Sequence, residues 1–182
     1  MIFFPQYIET KYKTTCLFRS PEDEDANEML QFIKKLSAET DYILTYPEEI
    51  SFDEATESSF LKAINQSPNQ VMIVALVDGV IAGNCQIRYK DKLKNHHRAV
   101  IAIGLLKAYW GLGIATKLFE LMIAHAKEKG IIQLELEVFE GNKRAIKLYE
   151  KMGFKIVAEI PNAIKYKDGH YEKEFYMVKV LC

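Results

Sequence analysis

Apolar residues recur along this chain in two rhythms. Between residues 71 and 106 they form dense runs, 71–77, 80–89 and 99–106, separated by polar turns, which is the pattern of buried strands. Asp78-Gly79 lies between the first two, and a pair of this type between β-rich runs predicts a tight hairpin. The polar stretch 91–98 turns the chain once more, so these runs are expected to lie antiparallel. Further on, Ile132, Leu134, Leu136 and Val138 alternate with Gln133, Glu135 and Glu137, predicting a strand with one apolar and one polar face. Elsewhere the spacing is helical. Met29, Leu30, Ile33 and Leu36 form one stripe, Ile114, Leu118, Leu121 and Met122 a second, and Ala145, Ile146, Leu148, Tyr149 and Met152 a third.

Local signals set the boundaries. Ser20-Pro21 predicts a helix start, with Ser20 as cap, Pro21 at the first helical position and the acids of 22–25 suiting the helix dipole. A second helix is predicted over 52–65, ending before Pro68; with the intervening loop it makes a helix–loop–helix suited to walling a substrate pocket. Gly130 and Gly153 close the later helices. Short strands are predicted at 14–19, 154–160 and 171–181, the last two around a Lys167-Asp168-Gly169 turn, and residues 1–13 read as an extra strand or a loose arm. The order β-α-α-β-β-β-α-β-α-β-β is mixed α/β, expected as a single domain over 1–182.

Composition narrows the class. At 182 residues, with 49% apolar and 27% charged side chains, the chain is long enough for a substantial core and has the make-up of a globular protein. No apolar run approaches the ~18 residues of a membrane span, and the N-terminus lacks a signal-peptide pattern. Cys16, Cys85 and Cys182 are odd in number and far apart, which argues against a disulfide framework or a zinc site; a reducing, cytoplasmic location is expected. His96-His97 reads as part of a solvated turn, and no metal is expected. Net charge is −1, but residues 20–57 carry twelve acids against two lysines, so that segment stands at −10 and the remainder at +9. A nucleic-acid binder is more uniformly basic. The sharper reading is an acidic lobe that attracts a cationic substrate beside a basic one that holds an anionic cofactor; the other is solvated helix faces.

The second helical stripe is preceded by Gly111 and Gly113. A strand, a glycine loop and a helix start together make an anion cradle, because the first N–H groups of a helix have no partners and lie at its positive end. Gly-x-Gly-x-x-Gly fails at Thr116, and a P-loop fails because Gly113 is followed by Ile114 and Ala115. A pyrophosphate loop of the form Gln/Arg-x-x-Gly-x-Gly/Ala fits at Gly113 and Ala115, with Trp110 in place of the usual Gln or Arg. An ordinary helix cap is the other reading of this loop.

Downstream, residues 142–154 read NKRAIKLYEKMGF. This resembles the pattern N-x-x-A-x-x-L-Y-x-x-x-G-F of the GNAT superfamily of N-acyltransferases at each specified position, and with the loop at 110–115 the resemblance spans about 19–181. It implies the GNAT fold: a mostly antiparallel mixed sheet, flanked by helices, whose parallel fourth and fifth strands, here 99–106 and 132–138, splay apart. It implies acetyl-CoA as acyl donor, with backbone groups of Ile103, Gly104 and Leu105 bonding the pantetheine and acetyl carbonyl. Gly111, Leu112, Gly113, Ile114, Ala115 and Thr116 then cradle the pyrophosphate, and Asn142 bonds the pantetheine while also suiting a helix N-cap. Lys143, Arg144 and Lys147 either meet the adenosine phosphates or form an exposed helix face.

Acyl transfer to an amine needs a base, since lysine-like amines titrate near ~10.4 and α-amino groups near ~8, and an acid helps the departing thiolate. Tyr149 matches the family's general-acid tyrosine. Glu137 resembles the catalytic glutamate of ribosomal-protein alanine N-acetyltransferases, with Glu135 on the same face as its rival. The resemblance implies direct acetyl transfer to a primary amine of a small molecule or of a peptide or protein N-terminus, and admits a homodimer. No nucleic-acid or membrane partner is expected. A non-catalytic acyl-CoA sensor is the alternative from another class.

Overall fold

The computed structural model describes residues 1–10 and 12–181; Cys182 lies outside them. The strands are β1 (Gln6–Glu9), β2 (Thr15–Arg19), β3 (Gln70–Val77), β4 (Val80–Tyr89), β5 (Arg98–Leu105), β6 (Gln133–Phe139), β7 (Lys155–Lys165) and β8 (Tyr171–Val180). The helices are α1 (Ala26–Glu39), α2 (Glu54–Gln66), α3 (Ile114–Glu128) and α4 (Lys143–Lys151). The architecture is mixed α/β, as the two rhythms predict. Among the described residues no helix is long and apolar enough to cross a membrane. The chain divides into two compact units, Met1–Arg88 with Ala102–Met122 and Tyr89–Ile101 with Ile123–Cys182, and β5 contributes to both.

In the first unit the strands run β1-β2-β3-β4-β5. The first three pairings are antiparallel, and within the N-terminal stretch Gln6–Glu9 form a strand, Gln6 opposite Phe18 and Glu9 opposite Thr15, while residue 11 lies outside the described residues. Asp78 and Gly79 both take positive φ, 50° and 81°, the primed turn that matches strand twist. Gly83 lets β4 and β5 approach closely: a Cβ there would lie 2.7 Å from the Gly104 carbonyl oxygen. α1 and α2 lay Met29, Phe32, Leu61 and Ile64 against Met72, Val74, Leu76 and Ile81, with Leu106 in the same cluster. Burying each such side chain contributes about 1.5–3 kcal/mol. Glu57 continues the Leu61–Ile64 stripe of α2. It is 2% exposed, its Oε1 has no partner among the described residues, and burial pushes its carboxyl above the usual range.

Ser20 does not cap α1. Its buried hydroxyl donates to the Met72 carbonyl at 3.0 Å and accepts from the Phe3 amide at 2.8 Å, so it serves the strand layer. A buried hydroxyl must keep a partner, and here long-range backbone groups supply two. The helix starts later, after a 3-10 turn at Asp23–Asp25. Asp25 accepts from the Glu22 amide at 2.6 Å and from both terminal nitrogens of Arg19 at 2.5 and 2.8 Å, which ties β2 to the turn. α2 starts as expected, with Asp53 accepting from the Thr56 amide at 2.9 Å.

In the second unit the order is β5-β6-β8-β7. β5 and β6 pair in parallel through Arg98↔Gln133, Ala99↔Leu134 and Val100↔Glu135, where the ladder ends. β6 pairs antiparallel with β8 along its whole length, and β8 with β7. β7 runs beyond the expected 154–160 to Lys165, with register shifts between Ile156 and Ala158 and between Ile160 and Ile164. The apolar face of β6 is buried as predicted at Leu134, Leu136 and Val138, but Ile132 is exposed. Its polar face is split: Glu137 is exposed while Glu135 is 1% exposed.

Candidate functional site

Each unit carries its own share of the residues singled out by sequence. The first holds Ile103 to Thr116. Ile103 and Leu105 are half-buried and Gly104 is buried, where a Cβ would meet Leu36 Cδ2 of α1 at 2.6 Å. The chain then makes a 3-10 turn at Lys107–Tyr109 and enters the glycine loop. Gly111 and Gly113 sit at φ +82° and +85°, a region that side chains with a Cβ avoid. The Lys117 amide bonds the Gly113 carbonyl at 3.1 Å, so the first i→i−4 bond of α3 falls there. The amides of Ile114 and Ala115 precede it and by position have no intrahelical acceptor. With the helix dipole behind them, these groups suit an anion.

Trp110 explains its own departure from the pattern. Its indole Nε1 donates to the Leu105 carbonyl at 2.8 Å, closing the turn between β5 and the loop. Lys107 stands over the indole, 6.0 Å from the ring centroid, and its amide donates to Glu39 of α1 at 2.7 Å. The β1–β2 turn lies against the far end of the loop. Thr10 Cβ and Tyr12 Cδ2 are each 3.5 Å from where a Gly113 Cβ would stand.

The second unit holds Glu137, Asn142 and Tyr149. Asn142 caps α4, its Oδ1 accepting from the Ala145 amide at 3.1 Å. The Nδ2 donors have no partner among the described residues, so the cap leaves them available. The loop before it is clamped by β8. The Gly141 amide donates to Glu172 Oε1, Tyr166 donates to Glu172 Oε2, and the Glu140 amide bonds the Lys173 carbonyl at 3.0 Å. Tyr149 faces inward on α4 beside Ile146, 8% exposed, its ring 6.3 Å from that of Phe154. Lys143, Arg144 and Lys147 lie on the exposed face of that helix.

The carboxylates differ in kind. Glu135 receives Arg98 Nε, Gln133 Nε2 at 2.9 Å and the Tyr176 hydroxyl at 2.6 Å. Burial alone would raise its pKa, but these donors together hold it below the usual carboxylate range. A carboxylate so held is a weaker base than one without such donors. Glu137 stands opposite Tyr176 in the β6–β8 register and is exposed. Glu174 lies two residues earlier on β8; burial and the Glu137 charge both raise its carboxyl. Arg98, Tyr176 and Glu172 carry no local signal in the sequence, since each acts on a partner more than thirty residues away. Cys85 and Cys16 are buried free thiols, both raised in pKa chiefly by burial, so neither is an activated nucleophile. His125 is half-buried at a tilted ring contact with Tyr89, and burial lowers its pKa. Among the described residues no three His, Cys, Asp or Glu side chains are grouped to hold a metal ion.

Comparison with known proteins adds independent observations. The sequence profile of the Acetyltransferase (GNAT) family matches residues 34–154. The L-amino acid N-acetyltransferase AaaT of Escherichia coli is 30% identical over 116 residues, 62% of this chain and 70% of that protein. The uncharacterized N-acetyltransferase Mb2688 of Mycobacterium bovis is 30% identical over 138 residues, 74% of this chain and 84% of its own length. Among solved structures, an acetyltransferase of the GNAT family from Streptococcus pneumoniae superposes with a TM-score of 0.85 at 30% identity, covering 91% of this chain and 99% of that one. In fold alone, yncA of Salmonella typhimurium, solved with its cofactor acetyl-CoA, is similar at a TM-score of 0.77 and 17% identity, over 91% and 93% of the two chains.

Proposed function

The chain belongs to the GNAT acetyltransferase family, and from that premise we propose that it moves the acetyl group of acetyl-CoA directly onto a primary amine. As an acyltransferase of this family it has an amine acceptor; a small molecule with a free α-amino group is the first class to test, because AaaT is an L-amino acid N-acetyltransferase. The observation that carries the reading is the pair of left-handed glycines, Gly111 and Gly113, placed directly before α3 in a chain that matches the family over 34–154.

The residues fit an acyl-CoA ligand. The loop offers N–H groups and no Cβ at two positions to a pyrophosphate, Asn142 offers Nδ2 to an amide of the pantetheine, and Ile103 to Leu105 offer strand backbone. The thioester supplies an electrophilic carbonyl and a thiolate leaving group. Glu137, the exposed carboxylate of β6, takes a proton from the acceptor ammonium so that its nitrogen can form the new C–N bond. Tyr149 gives a proton to the sulfur as the C–S bond breaks. The three donors that hold Glu135 favour Glu137 over it for the base role. A cytoplasmic setting accords with the buried free thiols Cys16 and Cys85.

The test is thiol release from acetyl-CoA across a panel of L-amino acids, diamines and peptides with free N-termini, with the product weighed by mass spectrometry. One or more acceptors should gain an acetyl group stoichiometrically with thiol release. Acetyl-CoA binding without turnover across the panel would favour the sensor instead.

A further inference from the structure

We propose that Glu172 is a positioning residue for cofactor binding, acting through Gly141 to set where the side-chain amide of Asn142 stands. The inference rests on the acetyl-CoA reading above, and every residue in it belongs to the second unit.

What Asn142 can offer is decided by the backbone beneath it. Its Oδ1 accepts from the Ala145 amide at 3.1 Å and its carbonyl from the Ile146 amide at 3.0 Å, so the residue is tied to the first turn of α4. The Nδ2 donors therefore stand where the loop 140–142 puts them. The three amides of that loop have three different acceptors. Asn142 bonds the Phe139 carbonyl at 3.0 Å, within the loop's own turn. Glu140 bonds the Lys173 carbonyl at 3.0 Å, and Gly141 donates to Glu172 Oε1. The last two acceptors come from β8, and of the three only that of Gly141 is a side chain. The residue next to Asn142 is thus held by a group that a substitution can remove without touching the loop.

Glu172 is itself held. A carboxylate oxygen binds an amide more strongly than a carbonyl does, and its second oxygen here accepts from the Tyr166 hydroxyl, which fixes the plane of the group. Tyr166 is anchored in turn. Its ring stacks on that of His170, with centroids 4.2 Å apart and planes 13° apart, and its amide bonds the His170 carbonyl at 3.0 Å. His170 Nδ1 meets Asp168 Oδ1 at 2.5 Å. The turn between β7 and β8 therefore braces Glu172 from one side while Glu172 braces the loop on the other. A second side-chain tie, Lys173 to Glu140 at 3.4 Å, is partly exposed and shared with Glu159 at 3.0 Å, so water screens it and it contributes little. The Glu172 tie dominates. Moving a positioned group by about 1 Å can cost up to about 100-fold, so a loop released at Gly141 is felt by a ligand bonded at Asn142.

The experiment titrates acetyl-CoA by calorimetry into the unaltered protein, Glu172→Ala, Glu172→Gln, Tyr166→Phe, Asn142→Ser and the double variant of Glu172→Ala with Asn142→Ser. Glu172→Ala should weaken acetyl-CoA about tenfold. Glu172→Gln keeps an oxygen for the Gly141 amide and offers a donor that the Tyr166 hydroxyl can accept, so it should bind near the parent value. Tyr166→Phe leaves the Gly141 bond in place and frees only the second oxygen. It should fall between the two, and it decides the matter should Glu172→Ala unfold. Serine at 142 keeps a capping oxygen and loses the amide donors. In that background, removing Glu172 should cost no further affinity, whereas a merely structural contact gives the same loss in both backgrounds. Additive losses, or parent affinity in both Glu172→Ala and Tyr166→Phe, would overturn the inference and leave the enzyme assignment intact. Parent affinity in Asn142→Ser would remove Asn142 from the site, and this inference with it. If the unaltered protein did not bind acetyl-CoA, the cofactor reading itself would fall.

Discussion

The indole nitrogen of Trp110 and the carbonyl oxygen of Leu105 form a 2.8 Å hydrogen bond that fastens the glycine loop to the last residue of β5. The departure from the family pattern at this position is thus a substitution of task. The Gln or Arg of the pattern is replaced by a side chain that shapes the loop itself.

Trp110→Phe keeps an aromatic ring but removes that donor and shortens the side chain's reach. The expected loss is about 1 kcal/mol of stability. For a chain of this size that lowers Tm by roughly 2–4 °C. Acetyl-CoA should bind less tightly because the loop is less well fixed. Thermal melting and calorimetric titration of the same variant check both halves.

Glu135 links β5, β6 and β8 through Arg98, Gln133 and Tyr176. Glu135→Gln turns an acceptor into a donor within that set and should destabilise by about 3 kcal/mol, the scale of a broken buried pair. Because the folded carboxyl lies below its unfolded value of ~4.3, its contribution is present above that value and disappears as pH falls through the folded pKa. The gap between parent and variant in denaturant melts should therefore be constant above ~4.3 and begin to close only as pH falls below it.

Glu57 predicts the opposite sign. Its folded pKa is raised by burial, so the parent carries no handicap below ~4.3, where the carboxyl is protonated in both states. The handicap grows as pH rises through the folded pKa and is then constant. Glu57→Gln, neutral throughout, should match the parent in acid and exceed it at neutral pH by about 1 kcal/mol, the lower end of the penalty for an unpartnered buried group. A difference that stayed flat from pH 3 to 8 would exclude ionisation as its cause.

Tyr149→Phe should slow kcat about 100-fold while leaving acetyl-CoA affinity near the parent value, the signature of a lost proton donor. Glu137→Gln should lower kcat at neutral pH and recover in part as pH rises and the acceptor loses its own proton. Unchanged kcat in either variant would remove that residue from the chemistry. Steady-state kinetics over pH 6 to 10 gives both readings.

What was legible in the sequence was whatever depends on near neighbours. The primed turn at Asp78-Gly79, the two left-handed glycines before α3, the cap at Asn142 and the stop at Gly153 each need only a few adjacent residues to specify them. Ser20 misled because its local context is that of a cap while its partners, Phe3 and Met72, are 17 and 52 residues away. The alternation of β6 identified a polar face but could not show that Glu135 is covered and Glu137 open. That difference is made by Arg98 and Tyr176, on other strands. The packing of Tyr12 on Gly113 was equally hidden, since nothing in either segment alone encodes the approach.

The partners of β6 also fix an order in time. Arg98 leaves the ribosome 37 residues before Glu135, but Tyr176 follows it by 41, and Glu172 follows Gly141 by 31. At about 5–20 residues per second, β6 waits on the order of seconds with an open edge and an incompletely neutralised carboxylate. During that interval the loop that presents Asn142 has no clamp. Translation of β8 ends the wait: a strand that carries none of the proposed catalytic groups completes the support of the one that carries Glu137 and of the loop before Asn142.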